Sequence, residues 1–158
     1  MKDLVNVAVI GAGYWGKKVI TEYLQLANIN PKVSLLAVCD LNDQNLKYCN
    51  KVLRIPKKNL RKEYKTILGS SDVDAIHICT PNETHYQICK EALISDKNVL
   101  LEKPMAMTAR HAWELVSISK SRDLILQVGH IFRFNNALKL MRDLMMQSYF
   151  GDLYYLRL

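Results

Sequence analysis

The segment Val7-Ala8-Val9-Ile10-Gly11-Ala12-Gly13-Tyr14-Trp15-Gly16 lies near the start of the 158-residue chain and decides its fold. Four apolar residues lead into three glycines with the spacing Gly-x-Gly-x-x-Gly, and a helical pattern follows. In such a turn the first glycine permits a sharp exit from the strand, the second admits a pyrophosphate, and the third lets helix and strand pack closely. The segment therefore predicts a strand, a phosphate-binding turn and a helix N-terminus that attracts anions.

Apolar runs and helical patterns alternate along the whole chain. We predict strands at residues 4–10, 33–39, 75–80, 98–102 and 124–128, and helices at residues 14–27, 43–53, 60–69, 83–95, 108–121 and 135–147. Because the strands are continuously apolar, helices should cover both faces of the sheet. This order predicts an α/β fold with a doubly wound parallel sheet, that is, a Rossmann dinucleotide-binding fold. Asn82 or Thr84, and separately Thr108, are candidate helix caps.

The chain is long enough for one domain with a proper core and too short for two full domains. We place a dinucleotide-binding domain at residues 1–148. Residues 149–158, the last of the sequence, contain a strand-like run. We interpret this run as the first strand of a second α/β domain that is missing here.

Composition narrows the class of protein. Hydrophobic residues make up 49% and charged residues 23% of the chain, which is ordinary for a globular protein. The sequence contains neither a secretory signal nor an apolar run long enough for a membrane span, so we expect a cytoplasmic protein. Its four cysteines form no C-x-x-C pair and lack metal-like spacing with the four histidines. We therefore predict buried free thiols and no metal site.

The formal net charge of +7 draws on a basic cluster between residues 54 and 65. Its members are Arg54, Lys57, Lys58, Arg61, Lys62 and Lys65, with Glu63 as the only acid. A solvated loop and helix face explains such a cluster, and an acidic substrate such as a nucleotide sugar would be a further use. We expect no nucleic-acid partner, because no aromatic residues alternate with the charges.

Asp40 ends the second predicted strand, 24 residues after Gly16. An acid near this position accepts hydrogen bonds from the adenosine ribose and repels a 2′-phosphate, which favours NAD over NADP. Lys51, Arg54 or a neighbour remains an alternative contact for a phosphate, and Asp40 could instead cap the following helix. We predict cofactor contacts from Asp40 and from the turn residues Gly11, Gly13, Tyr14, Trp15 and Gly16.

The sequence Glu102-Lys103-Pro104 follows an apolar strand, and ligands of open α/β sheets bind at the carboxyl ends of the strands. A lysine there can bind a substrate hydroxyl and exchange a proton with it. By position alone, an ordinary strand end that turns to solvent at Pro104 is equally consistent.

The glycine-rich turn, the segment Ala75-Ile76-His77-Ile78-Cys79-Thr80-Pro81-Asn82-Glu83-Thr84-His85 and Glu102-Lys103-Pro104 occur in this order. Together they resemble the glucose-fructose oxidoreductase, inositol dehydrogenase and rhizopine catabolism family (Gfo/Idh/MocA), over essentially the whole chain. The resemblance implies that Thr80, Pro81, Asn82 and His85 line the dinucleotide groove. It further implies that Glu102 holds the nicotinamide ribose and that Lys103 serves both cofactor and substrate.

The turn with its following Lys17 also resembles family members that oxidise the 3-hydroxyl of UDP-N-acetylated amino sugars. Members of the family normally continue into a second α/β domain, which supplies an Asp and His pair and mediates oligomerisation. The resemblance thus implies an NAD-dependent dehydrogenase of sugars or nucleotide sugars, a homo-oligomer in its full-length form, of which this part alone is inactive. The alternative is a cofactor-binding module without turnover, either a remnant or a sensing subunit.

Other histidines and methionines receive less specific interpretations. His130 follows the fifth predicted strand and is a candidate catalytic residue at the substrate, against a packed hinge histidine as the alternative. Arg133 is either a second substrate contact or a structural ion-pair partner. We assign His77 and His111 to packing or the surface. The stripe of Met141, Met145 and Met146 has helical spacing and is interpreted as core or interface.

Overall fold

Strands and helices alternate in the computed structural model of the protein, which describes residues 4–152, 154 and 155. The strands are β1 (Val5–Ile10), β2 (Val33–Cys39), β3 (Leu60–Arg61), β4 (Ala75–Ile78), β5 (Asn98–Leu101) and β6 (Leu126–Val128). The helices are α1 (Tyr14–Ile29), α2 (Asp43–Lys51), α3 (Lys65–Leu68), α4 (Asn82–Ile94), α5 (Ala109–Ser121) and α6 (Asn136–Met146). Short 3-10 helices at Lys57–Asn59 and Ile131–Phe134 complete the described elements.

The six strands form one parallel sheet in the order β3-β2-β1-β4-β5-β6. Strand order reverses between β1 and β4, so the connections from these two neighbours run to opposite sides of the sheet. Such a switch point opens a crevice at the carboxyl ends of the strands, where ligands of this architecture bind. The predicted doubly wound Rossmann sheet is confirmed.

Successive side chains of β1 point to opposite faces of the sheet, and each face has its own core. Val9 packs with Ile20 of α1 on one face, and both side chains are fully buried. Ala8 and Ile10 pack on the other face, together with buried residues of α4 and α5 such as Leu115. The two cores join the sheet to its covering helices and so position the carboxyl edge of the sheet.

Most predicted elements are confirmed, with ends that shift by up to two residues. The helix predicted at residues 60–69 is wrong in its first part, because Leu60 and Arg61 pair with Val38 and Cys39 of β2 as a short edge strand. Backbone pairing with an existing sheet edge outweighs local helical preference here. Only Lys65–Leu68 is helical in that stretch.

The predicted caps have mixed outcomes. Thr108 caps α5, because its side chain accepts a hydrogen bond from the backbone N–H of His111 at 3.2 Å. Neither Asn82 nor Thr84 caps α4, since that helix begins at Asn82 and its preceding residue, Pro81, makes no side-chain cap. The hydroxyl of Thr84 instead donates to the carbonyl of Pro81 at 2.7 Å.

Three of the four cysteines, Cys39, Cys49 and Cys89, are buried free thiols as predicted, and Cys79 is half-buried. Leu153 and residues 156–158 of the predicted terminal strand lie outside the described residues, so that strand and the domain boundary before it stay predictions. Within the described part of the chain, no helix has both the length and the apolar character that crossing a membrane requires.

Candidate functional site

The glycine-rich turn connects β1 to α1 and shows why each glycine stands where it does. Gly11 has φ +96°, and a Cβ on it would lie 2.6 Å from the carbonyl oxygen of Cys79. A Cβ on Gly16 would lie 2.0 Å from the carbonyl oxygen of Gly11. A Cβ on Gly13 would meet nothing within 4 Å. The first and third glycines therefore serve the protein's own packing, whereas the second leaves space open for a ligand.

The N-terminus of α1 faces the same open space. Its cap residue is Gly13, which offers no side-chain acceptor, and its first turn contains no acidic residue. The first backbone N–H groups of a helix lack partners within the helix and carry the positive end of its dipole. This terminus is therefore suited to bind the phosphates of a ligand that enters beside Gly13.

Asp40 links the turn to the end of β2. Its Oδ2 atom accepts hydrogen bonds from the backbone N–H of Ala12 at 2.6 Å and from the Asn45 side chain at 3.2 Å, and its Oδ1 accepts from the Asn42 N–H at 2.7 Å. Asn42, not Asp40, caps α2 through Gln44. Since a carboxylate has about four acceptor sites, one remains for a ligand hydroxyl.

A cavity of about 620 Å³, here the β2-side cavity, opens beside Asp40. Its lining includes Gly11, Gly13, Asp40, Asn42, Asn45, Lys62, Tyr64, Thr80 and Pro81. Lys62 is the nearest part of the basic cluster, and its ammonium is 2.7 Å from the Asp43 carboxylate. The walls thus combine apolar surface with one fixed carboxylate, which suits a nucleoside.

A second cavity of about 930 Å³, the β5-side cavity, lies on the other side of the glycine turn. Its lining comprises Trp15, Cys79, Thr80, Asn82, His85, Glu102, Lys103, Gly129, His130, Ile131, Phe132 and Arg133. Cys79 and Thr80 line both cavities. The two spaces therefore meet at the end of β4, and one elongated ligand can occupy both.

Several residues predicted from the sequence are brought together here. Thr80, Asn82, His85, Glu102, Lys103 and His130 all line the β5-side cavity, and Pro81 lines the β2-side cavity. Two turn residues lie elsewhere than the ligand space. Gly16 is buried in the contact between α1 and the turn, and the Tyr14 side chain is 80% exposed, with the Lys18 ammonium 4.5 Å from its ring centre.

Glu102 is held at the wall of the β5-side cavity by a side chain of α1. Its Oε1 atom accepts a hydrogen bond of 2.6 Å from the indole N–H of Trp15. A Cβ on Gly129 would lie 3.1 Å from its Oε2 atom, so a glycine at that position leaves room for the carboxylate. Trp15 thereby ties the start of α1 to the end of β5.

His77 lies under this carboxylate, a contact that the sequence prediction missed. Its residue is 6% exposed, and its Nε2 atom is 3.5 Å from Oε1 of Glu102 without forming a hydrogen bond. Nδ1 is 3.3 Å from the Tyr23 hydroxyl. Burial lowers the pKa of His77, and the Glu102 charge opposes this shift. His77 pairs with Leu100, two residues before Glu102, so the alternation of side chains places His77 and Glu102 on one face of the sheet. This register cannot be read from the sequence alone.

His85 connects the two loops that carry the family-like motifs. Its Nδ1 atom is 2.7 Å from the carbonyl oxygen of Pro104, and its Nε2 atom is 2.9 Å from that of Thr80. The residue is only 1% exposed. Both ring nitrogens thus face backbone carbonyls, so His85 joins the two loops and shapes the cavity wall.

Lys103 and His130 differ from these held groups because both are exposed at the mouth of the β5-side cavity. The peptide bond between Lys103 and Pro104 is cis. Among the described residues, neither side chain has a hydrogen-bonding or ionic partner. An ammonium and an imidazole are therefore available at this mouth for a polar ligand.

The donor atoms of His77, Cys79 and Glu102 lie within 4.8 Å of one another, a set that could in principle hold a metal ion. Burial raises the pKa of the Cys79 thiol, and the Glu102 charge adds to that shift, so the thiol keeps its proton. Glu102 is already engaged by Trp15. A metal would have to displace that proton and break that bond, and the cluster is better explained as the floor of the β5-side cavity.

Comparisons with known proteins identify this arrangement. The family model described as "Oxidoreductase family, NAD-binding Rossmann fold" (GFO_IDH_MocA) matches residues 5–130. The uncharacterised oxidoreductase YdgJ of Escherichia coli strain K12 is 28% identical over 155 residues, covering 98% of this chain and 42% of that protein.

Solved structures agree on the fold. A scyllo-inositol dehydrogenase from Lactobacillus casei with bound NAD(H) and scyllo-inositol has a TM-score of 0.83 at 23% identity, over 94% of this chain and 43% of that one. A variant of KijD10, a 3-ketoreductase from Actinomadura kijaniata in complex with TDP-benzene and NADP, has a TM-score of 0.79 at 21% identity, over 95% and 46%.

This chain spans less than half the length of each of these relatives. Its glycine turn, its open helix N-terminus and the cavities on either side fit the dinucleotide that the matching family binds. The chain belongs to the Gfo/Idh/MocA oxidoreductase family, and it forms that family's NAD-binding Rossmann fold.

Proposed function

We propose that this chain is the NAD-binding part of a dehydrogenase that acts on a hydroxyl-bearing carbon of a sugar or nucleotide sugar. The observation that carries the proposal is the β5-side cavity, where Glu102 accepts a hydrogen bond from Trp15 and Lys103, at the mouth, has no polar partner among the described residues. The scyllo-inositol and TDP ligands of the two solved relatives support this class of substrate.

The residues present fit a dinucleotide that extends from one cavity to the other. In the proposal, Asp40 accepts a hydrogen bond from the adenosine ribose, and the N-terminus of α1 binds the pyrophosphate beside Gly13. Thr80, Pro81 and Asn82 line the groove, and Glu102 binds the nicotinamide ribose. When bound, NAD supplies the acceptor for a hydride.

We further propose that the chain prefers NAD to NADP. Asp40 places a carboxylate where a 2′-phosphate would otherwise bind, and the two like charges repel each other. The lysine that lines this cavity is Lys62, and its charge is paired with Asp43. Lys51 and Arg54, the alternative phosphate contacts, line neither cavity.

Lys103 is the proposed catalytic residue. From the mouth of the β5-side cavity its ammonium can orient a substrate hydroxyl or carbonyl by hydrogen bonding. The proton of an oxidised hydroxyl passes to the Lys103 nitrogen if that nitrogen is neutral, and returns from the ammonium during reduction. His130 lies at the same mouth and is proposed as a second contact to the substrate.

The described structure also supports a further domain after residue 148. Between residues 131 and 150 it exposes many large apolar side chains, including Phe132, Phe134, Leu140, Met146 and Tyr149, each at least 60% exposed. Large apolar side chains exposed in such number usually meet another surface. We propose that residues 149–158 begin the domain that covers it, and that the full-length protein is a homo-oligomer.

Substitution of Lys103 tests the catalytic proposal in the full-length protein. We expect Lys103→Ala to lower turnover at least about 100-fold, since it removes the proton-transfer group, and to weaken NADH binding less than about threefold. Lys120→Ala, at the exposed end of α5, is the matched control and should change neither value. Retained turnover in Lys103→Ala would contradict the catalytic assignment. A wild-type protein that binds NADH but oxidises no sugar or nucleotide sugar would favour the non-catalytic module.

A further inference from the structure

We propose that His77, oriented by Tyr23, is a positioning residue that holds the Glu102 carboxylate in the geometry required by the nicotinamide ribose. This inference rests on the proposed function, because it assigns Glu102 to that ribose. It adds two buried residues that do not touch the cofactor. Their effect reaches the site through one carboxylate.

The three side chains form a continuous line beneath α1. Tyr23 lies on α1 and His77 on β4, and their rings meet edge to face with centroids 5.8 Å apart. Glu102 follows β5 and is 3.5 Å from His77 Nε2. Three different elements, α1, β4 and the end of β5, thus supply the line.

The positions of the protons follow from the chemistry of the groups. An ionised carboxylate only accepts hydrogen bonds, so the His77 nitrogen that faces Glu102 must carry the hydrogen. In the neutral ring, Nδ1 is then an acceptor and accepts a hydrogen bond from the Tyr23 hydroxyl, 3.3 Å away. Burial raises the pKa of Tyr23 to about 12, which keeps that hydroxyl protonated. Every donor in the line therefore points towards Glu102.

His77 Nε2 and the Glu102 carboxylate do not form a hydrogen bond in the described structure. Nε2 is buried and has no hydrogen-bond partner in the described structure, and a buried donor of this kind costs free energy until it is satisfied. Oε1 of Glu102 is occupied by the indole of Trp15. A small rotation of the carboxylate brings an oxygen within bonding distance of Nε2. Its other lone pairs then face the cavity, where the ribose hydroxyls are proposed to bind.

A set of variants tests this role through binding of two ligands to this chain. In the proposed site NADH extends through both cavities, whereas ADP would fill only the β2-side cavity, whose lining does not include Glu102. We expect His77→Leu to raise the Kd for NADH about fivefold, the value of one hydrogen bond, and to leave the Kd for ADP unchanged. His77→Gln retains an N–H donor at a similar reach and should return the NADH Kd to within about twofold of wild type.

Tyr23→Phe provides an independent test that removes only a hydroxyl. We expect it to raise the NADH Kd about two- to threefold in the wild-type background and to have no further effect in His77→Leu. An unchanged NADH Kd in His77→Leu, or an equal loss of ADP binding, would overturn the inference. If wild type binds no NADH, or if Glu102→Ala leaves the NADH Kd unchanged, the proposed function itself is contradicted, independently of the role of His77.

Discussion

The β2-side and β5-side cavities lie on either side of one glycine turn. They differ in how many of their polar groups already have hydrogen-bond or ionic partners within the protein. On the β2 side, Asp40 already accepts three hydrogen bonds from the protein, and Lys62 is paired. On the β5 side, neither the Lys103 ammonium nor Nε2 of His77 has a hydrogen-bond partner in the part of the chain that the structure describes. The polar groups of the β2-side cavity are therefore already held by the protein, whereas we expect those of the β5-side cavity to gain partners only when a ligand binds. We expect contacts on the β2 side to hold the cofactor. We expect the contribution of the β5 side to cofactor binding to change more readily with substitution.

The largest expected effect comes from comparing two glycines of the turn, Gly16, which contacts the protein's own backbone, and Gly13, which faces the proposed ligand space. In Gly16→Ala the new Cβ collides with the backbone of Gly11, so we expect the free energy of unfolding to fall by about 3 kcal/mol or more. In Gly13→Ala the Cβ meets no protein atom, and unfolding should change by less than about 1 kcal/mol. Urea denaturation followed by circular dichroism measures both.

The same pair of variants also reports on the ligand. Gly13→Ala places a methyl group where the pyrophosphate is proposed to pass, so its Kd for NADH should rise at least about tenfold although the fold is intact. Unchanged NADH binding in Gly13→Ala would show that the ligand does not cross the turn at this point, and the two cavities would then not form one site.

A smaller effect tests whether the β2 side is prepared in advance. Asp40→Ala leaves the backbone N–H of Ala12, a residue with no exposed surface, without its acceptor. We expect a loss of about 1–3 kcal/mol in the free energy of unfolding, together with weaker NADH binding and a reduced preference for NADH over NADPH. Asp43→Ala removes a neighbouring exposed acid and should cost less than about 1 kcal/mol. Equal losses in the two variants would contradict the structural role of Asp40.

The smallest expected effect is a pH dependence of the free energy of unfolding that arises from His77, on the β5 side. Because burial lowers the pKa of His77, the unfolded chain binds a proton near pH 6.5 that the folded chain does not yet bind. Stability from this residue is therefore present above pH 6.5 and is lost as pH falls. Between pH 7.5 and 5.5, wild type should lose about 1 kcal/mol more than His77→Gln in urea denaturation. A larger loss in His77→Gln would reverse the sign and contradict the assignment.

The β2-side half of the site could be predicted largely from the sequence, because it depends on local order along the chain. A strand, three glycines and a later acid at a strand end are enough to place Gly11, Gly13 and Asp40 around one space. The tight contacts of Gly11 and Gly16 with backbone carbonyls explain why the spacing is so informative.

The β5-side half could be predicted only in part, because its contacts join elements that are distant in sequence. Glu102 and Lys103 were singled out by their place at a strand end, and only the resemblance to a family favoured a functional role for them over an ordinary strand end. The contacts of His77 with Tyr23 and Glu102, and of His85 with two carbonyls, depend on strand register and loop geometry. The edge strand β3 was missed for a similar reason, since only its pairing with β2 makes two residues a strand.

The most direct test is a titration of this chain with NADH, followed by nicotinamide fluorescence, with ADP as competitor and NADPH in parallel. If the two cavities form one dinucleotide site, NADH binds saturably at one site per chain, ADP displaces it competitively, and NADPH binds more weakly. NADH fluorescence that does not saturate, or saturable binding that ADP leaves undisturbed, would contradict a single site built across the glycine turn.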